Sequence, residues 1–198
     1  MSRPPDTKDR ILTLAQEMIQ RDGYNGFSFR DIAEHIGIKS ASIHYHFPNK
    51  ADLAAAVARR YTDSFVGALE EGGAPPRAIR RYADSFRTSL VDQNRMCLCG
   101  MLGAEVGTLP PIVRHETRRF FDRNVDWLEH TLLEGQRSGT LVFEDRPRTE
   151  ATQLLATLEG AMIVARSSED HALFDRITRS ALGKLGVRWN PARPRKAA

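Results

Sequence analysis

The chain reads as an all-α protein, with an N-terminal three-helix helix-turn-helix domain followed by a larger helical bundle. Apolar residues recur at three- and four-residue spacing through most of its length, the period of an amphipathic helix. Caps and breakers fall at the ends of those periodic runs, which implies short connections between helices. The stretch with most strand character, Thr140 to Phe143, has no obvious second run to pair with and is read as loop.

From about Thr7 to Asp22, residues Ile11, Leu12, Ala15, Met18 and Ile19 make one apolar stripe, with Asp6 or Thr7 as cap and Gly23 as stop. Ser28 caps a short helix to Ile36, whose inner face is Ile32, Ala33 and Ile36, and Gly37 suits the position after it. Ser40 begins another short helix that ends near the Phe47-Pro48 step, because a residue before proline avoids the helical region. Asn49 caps a longer helix bearing Leu53, Val57, Tyr61 and Phe65. Glu71-Gly-Gly-Ala-Pro-Pro76 is the clearest break and marks the approximate module boundary. After it come a stripe at Ile79, Tyr82, Ala83, Phe86 and Leu90, and a short segment from Leu98 to Gly107. A long helix from about Ile112 to Gln136 stops at Ser138-Gly139, and helices over Pro147–Arg166 and His171–Leu185 follow. The division expected is 6–50 for the helix-turn-helix domain, 51–68 for a linking helix, 69–187 for the second domain and 188–198 for a basic, disordered tail.

Composition sets bounds on function. At 41% hydrophobic and 27% charged the chain is an ordinary globular protein, and no apolar run approaches the ~20 residues that span a bilayer. Met1-Ser-Arg-Pro-Pro-Asp6 lacks the apolar core of a signal peptide, so a cytoplasmic location and no membrane partner are expected. The net charge of +4 is carried by Arg188, Arg193, Arg195 and Lys196, without which the chain is neutral. Basicity therefore does not itself argue for a nucleic-acid partner. Cys97 and Cys99 are too close for an ordinary structural disulfide and too few for an all-cysteine zinc site. No cofactor and no metal site are expected.

Two short helices, Ser28–Ile36 and Ser40–Phe47, joined by Gly37-Ile38-Lys39, have the layout in which a second helix enters the DNA major groove. Ile38 and Ile43 face inward, while Lys39, Ser40, Ala41, Ser42, His44 and Tyr45 are the outward candidates. On spacing alone, a helical hairpin with no nucleic-acid partner fits equally well. The run Phe27-Ser-Phe-Arg-Asp-Ile-Ala-Glu-His-Ile-Gly-Ile-Lys-Ser-Ala-Ser-Ile-His-Tyr-His-Phe-Pro-Asn-Lys50, however, closely resembles the DNA-binding signature of the TetR family. The resemblance covers about residues 7 to 66 and is most specific at Tyr45-His-Phe-Pro-Asn-Lys50. It implies a double-stranded DNA operator as partner and DNA roles for Ser28, Arg30, Lys39, Ser40, Ser42, His44, Tyr45, His46 and Lys50. His44 stands where tyrosine is common in the family. A metal reading of His44 and His46 is disfavoured, since residues two apart on a helix do not face one another.

The same resemblance implies that the second domain binds a small-molecule effector and forms a homodimer. The apolar faces Leu154, Leu158 and Met162, then Phe174, Ile177 and Ala181, suit a four-helix bundle shared with a second copy, or else complete the chain's own core. For the pocket, Met96 to Glu105 is the most unusual segment, mixing two thiols, two thioethers and two glycines. Cys97, Cys99, Met101 and Glu105, with Phe86, Phe120, Phe121, Trp127 and His130 opposite, are the candidate lining. The Cys97–Glu105 stretch is similar to that of family members that respond to electrophiles or oxidants. Cys97 is therefore a candidate sensor thiol and Cys99 a resolving partner, against inert burial of both. Two other classes compete with a ligand-responsive repressor: a thiol-dependent enzyme, for example through Cys97 and His130, and a DNA-independent helical adaptor. The enzyme lacks any phosphate-binding glycine loop, His-Glu-x-x-His or Gly-x-Ser-x-Gly signature.

Overall fold

Backbone hydrogen bonding follows the apolar periodicity closely. The structure, a computed structural model, describes residues 6–70 and 73–191, and among them there are nine α-helices and no strand. They are α1 (Thr7–Asp22), α2 (Phe29–Ile36), α3 (Ser40–His46), α4 (Lys50–Glu70), α5 (Pro75–Arg87), α6 (Leu98–Ala104), α7 (Pro111–Arg137), α8 (Pro147–Ser167) and α9 (His171–Lys184). None of these helices is long and apolar enough to cross a membrane. The chain forms two compact units, one of residues up to Ser64 with Leu98–Phe121, the other of Phe65–Cys97 with the residues from Asp122 onward. Leu98–Phe121, expected within the second domain, thus belongs to the first unit.

In the first unit the starts of α1, α2 and α4 and the end of α2 are closed by the residues the sequence offers there. Asp6 Oδ1 accepts the Asp9 N–H at 2.8 Å, and Ser28 Oγ accepts that of Asp31 at 3.3 Å. Asn49 Oδ1 accepts the Asp52 N–H at 3.0 Å while its Nδ2 donates back to Asp52 Oδ2. Gly37 ends α2 in the left-handed conformation (φ 70°, ψ 40°), and Arg10 Nη2 donates to the carbonyl of Ile36 at 2.8 Å. Ile11, Ala15, Ile32, Ile43, Phe47 and Leu53 form a common buried core, so α2 and α3 are held by their inner faces.

In the second unit α8 and α9 pack together, and α5 packs on both. Thr88–Asp92 continues α5 as a π-helical turn, in which Gln93 N–H bonds the Thr88 carbonyl; the sequence stripe through Leu90 did not distinguish this from ordinary helix. Arg87 pairs with Asp175 through Nε at 2.8 Å and Nη2 at 3.3 Å, tying α5 to α9. The expected boundary at residue 187 needs correction. Val187 and Trp189 are buried; the Trp189 indole meets Phe174 edge-on, and its Nε1 donates to Asp84 Oδ1 at 2.8 Å. An arginine-rich composition hid one large aromatic with both an apolar seat and a polar partner. Of the expected tail, residues 192–198 lie outside the described residues, as do Glu71 and Gly72 of the expected linker.

Trp189→Ala is expected to destabilise the second unit by about 3–5 kcal/mol, the cost of emptying a buried aromatic site. Chemical denaturation followed by circular dichroism checks this, and a change below about 1 kcal/mol contradicts the role given to the indole.

Candidate functional site

The outward side of α3 is what the first unit leaves uncommitted. Ile43 is fully buried, whereas Tyr45 is 87% exposed, and Lys39, Ser40, Ala41 and Ser42 are exposed beside it. Tyr45 and His46 rings meet edge-on at 5.2 Å, so the two aromatic groups at the end of α3 brace each other. Arg30 is exposed on α2. This places hydroxyls, a phenol and two cations on one side of a helix-turn-helix, the groups that hydrogen-bond phosphates and base edges.

Three residues of the expected DNA-contacting set have structural engagements of their own. The Ser28 hydroxyl is both the α2 cap and a donor to Asp31 Oδ2 at 2.7 Å. His44 packs its ring against Phe29 at 4.8 Å, with Nδ1 3.2 Å from the Pro48 carbonyl, so Nε2 is the nitrogen turned to other partners. Lys50 is half-buried, with Nζ 4.7 Å from the Tyr24 ring centroid and 4.6 Å from that of Phe27. Burial lowers the Lys50 pKa, and the charges of Glu105 and Asp31 oppose that shift. Lys50 therefore stabilises the turn before α2 through its cation over two ring faces.

Glu105 explains that neighbourhood, and its expected place in a ligand pocket is not where it lies. Just beyond α6, its Oε2 accepts the backbone N–H of Tyr24 at 3.0 Å and the Asn25 amide at 3.4 Å. Gly23, at φ 80°, makes room for it: a Cβ there would collide with the Glu105 carboxylate. Sequence spacing gave no sign of this contact, because the partners are about eighty residues apart. A second buried acid of the same unit, Glu116 on α7, receives Arg59 Nη2 at 2.6 Å and Nε at 3.0 Å.

The nine residues expected to line one pocket fall in different units. Cys99, Met101, Glu105, Phe120 and Phe121 belong to the first, where Phe120 is buried against Tyr61 at 5.5 Å and Phe121 at 5.4 Å. Phe86, Cys97, Trp127 and His130 belong to the second. His130 is exposed, beside Leu133, Glu134 and Arg137 in an open recess, and is not part of a buried wall. Phe86 and Trp127 do converge, on Tyr82: Trp127 stacks on the phenol ring at 5.6 Å and Phe86 lies 5.2 Å away. Tyr82 donates to Asn124 Oδ1 at 3.0 Å, and burial pushes its pKa well above that of the usual phenol, with the charges of Glu159 and Cys97 adding to the shift.

Glu159 on α8 was missed. Its stem is half-buried, but both carboxylate oxygens are shut off from solvent and neither has a well-formed hydrogen bond. Burial pushes its pKa up to about 7, and the Cys97 thiol lying against it draws it partly back. An acid within the stripe Leu155, Leu158 and Met162 is the sequence signal that pointed to it. Cys97 and Cys99 are both reduced and buried. Cys97 thus lies against an acid, Glu159, and a neighbouring negative charge disfavours a thiolate.

The expected dimer faces also need correction. Leu158, Met162 and Phe174 are wholly buried inside the chain, and Leu154 nearly so. The most apolar stripe of each helix went to the chain's own core. The open side carries Ile163 (53% exposed) and Val164 (47%) on α8, and an open groove of about 420 Å³ between α8 and α9 has Leu154, Ile177 and Ala181 in its wall.

A helix-turn-helix with its second helix turned to solvent, in a chain that is otherwise helical, defines a DNA-binding transcriptional regulator. The model of the bacterial regulatory proteins of the tetR family matches residues 11–57, and that of the tetracyclin repressor-like C-terminal domain matches residues 75–181. The chain belongs to the TetR family of transcriptional regulators. It is 26% identical over 168 residues to the HTH-type transcriptional repressor DhaR of Mycobacterium sp. (strain GP1), covering 82% of this chain and 83% of that one. Among solved structures, a TetR-family regulator from Agrobacterium tumefaciens is 36% identical with a TM-score of 0.86, covering 90% of this chain and 96% of that chain. A TetR regulator from Legionella pneumophila is 32% identical with a TM-score of 0.84, covering 93% and 100%. The family consists of regulators, so the thiol-dependent enzyme considered from the sequence is set aside.

Two measurements test these assignments. Glu105→Ala leaves the Tyr24 N–H without its acceptor and should cost about 1–3 kcal/mol; faster amide exchange at Tyr24 and weaker DNA binding are expected, and unchanged exchange contradicts the contact. For Glu159, the raised pKa means that the protonated group suits the fold. Stability should therefore fall as pH rises from about 4.5 to about 7 by about 3 kcal/mol. Glu159→Gln removes that slope, so the variant should melt higher than the parent at pH 8 and match it near pH 4.5.

Proposed function

We propose that this regulator is a ligand-responsive repressor that binds a palindromic double-stranded DNA operator as a homodimer and is released by a small-molecule effector. The observation that carries the DNA half is α3: its inner residue Ile43 is fully buried while Tyr45, Lys39, Ser40 and Ser42 face outward. A seven-residue helix makes few contacts, and the stretch through residue 50 holds seven Lys/Arg against six Asp/Glu. Affinity then has to come from pairing two such helices about one DNA turn (~34 Å) or a multiple apart, which makes the operator two-fold symmetric. The open apolar positions Ile163 and Val164, with the α8–α9 groove, support a second copy as the partner. Effector binding lowers operator affinity by favouring a different spacing of the reading helices, and operator binding lowers effector affinity by the same factor.

Release by an electrophile at Cys97 is less well supported, because the thiol is buried against a carboxyl. Cys97→Ser should leave effector release intact.

Gel-shift titration against DNA from upstream of the protein's own coding sequence tests the main reading. Specific binding is expected, weakening steeply with salt. Tyr45→Ala and Lys39→Ala should each lower affinity by about 1–3 kcal/mol if they meet base edges, and Val164→Glu should give a monomer by sedimentation that no longer shifts the operator. Failure of every upstream fragment to bind at any salt concentration would favour a DNA-independent adaptor.

A further inference from the structure

We propose that Glu159 anchors an effector that is a small organic cation with N–H donors, a protonated amine or amidine carried on an apolar or aromatic body. The inference rests on the reading of the chain as ligand-responsive and names the chemistry of its ligand.

Both carboxylate oxygens are inaccessible to solvent, neither has a well-formed hydrogen bond, and the one donor lying against the group is the weak Cys97 thiol. An unsatisfied buried acceptor is costly, and a buried charge without a partner is more so. The influences on this carboxyl are burial and the Cys97 thiol; Tyr82, the other ionisable group beside it, gives its hydrogen to Asn124. A thiol is a weak donor and brings no positive charge. What the site lacks is therefore a cation with at least two N–H groups, and ammonium and amidinium both supply that. An anion is repelled, and an alcohol offers one donor and no charge.

The surroundings define the rest of the ligand. Tyr82, beside Glu159, stacks on Trp127 and meets Phe86 and Phe65 at 5.2 and 5.8 Å. Such rings favour an apolar body, and their faces attract a cation. With its pKa near 7, Glu159 is partly protonated at neutral pH. Arrival of a cation displaces that proton, so binding and deprotonation are one linked event.

The test is calorimetric titration of the full chain with 2-phenylethylammonium and benzamidinium chlorides, with neutral 2-phenylethanol as control, at pH 6, 7 and 8. The expected result is at least about tenfold tighter binding of a cation than of the alcohol. Affinity should rise by about fivefold from pH 6 to pH 7 and by about twofold more to pH 8, with proton release at pH 6. Glu159→Gln should lose at least about tenfold for the cations and nothing for the alcohol. Equal binding of cation and alcohol, an unchanged Glu159→Gln variant, or no binding of either cation at millimolar concentration overturns the proposal; a carboxyl satisfied by a trapped water predicts those results. Cation against alcohol is compared on the unaltered chain, so the test stands if the variant fails to fold. Operator occupancy is followed in parallel. Cation binding that leaves the operator bound keeps the site and removes its effector role, whereas release by other compounds without cation binding removes the site and keeps the ligand-responsive reading.

Discussion

Where the chain turns from α1 into α2, the carboxylate of Glu105 occupies the space that a side chain at residue 23 would otherwise fill. Much of the first unit follows from that contact. Gly23 adopts a backbone conformation that L side chains rarely take, and this aims the next N–H, that of Tyr24, at the carboxylate. The Tyr24 and Phe27 rings then form a surface on which the Lys50 cation rests, within the field of Glu105. Lys50 is the first residue of α4, so one acid beyond α6 joins the start of α2 to the start of α4. The reading helix lies between those two points, and its position depends on both.

This arrangement divides the polar residues of the run from Phe27 to Lys50 into two groups. Some of its polar residues build the helix-turn-helix, and others are left exposed on it. Ser28 caps, Asn49 caps, His44 packs on Phe29 and Lys50 is held over aromatic rings. Lys39, Ser40, Ser42 and Tyr45 remain facing solvent, with Arg30 on the neighbouring helix. With so few groups available and near-zero net charge in the domain, a single copy has little nonspecific electrostatic attraction to DNA to draw on. Two copies aligned on a symmetric site double the contacts and share one ordering cost.

Local signals were legible in the sequence, and long-range ones were not. Asp6, Ser28, Gly37 and Asn49 act within three or four residues of themselves, so their roles follow from spacing and were read correctly. The helix-turn-helix and the all-α class rest on the same local rules. Glu105 with Tyr24, Arg87 with Asp175 and Trp189 with Asp84 are each separated by more than eighty residues, and no periodicity encodes them. The dimer faces were misread for a related reason. An apolar stripe shows that a face is buried without showing by what, and Leu158, Met162 and Phe174 proved to be buried by their own chain. Of the expected set, Ile177 and Ala181 stay in the wall of the open α8–α9 groove, and Ile163 and Val164 are exposed on α8.

Two buried glutamates show how environment separates a structural acid from a binding one. Glu116 has a side chain almost as inaccessible as any in the protein, yet Arg59 meets its Oε1 through two nitrogens and Arg119 approaches Oε2 at 3.5 Å. Its charge is answered from within the chain, and it serves to fix α4 against α7. Glu159 is shielded in the same way and is answered by a thiol alone. A helix that needed only packing at that position would do better with leucine or methionine, which carry no desolvation cost. Retaining an acid there, beside stacked aromatic rings, makes sense if its partner arrives from outside the chain. The same mismatch that weakens the folded state above neutral pH then supplies the driving force for binding a cation, because the ligand relieves a cost the empty protein already carries.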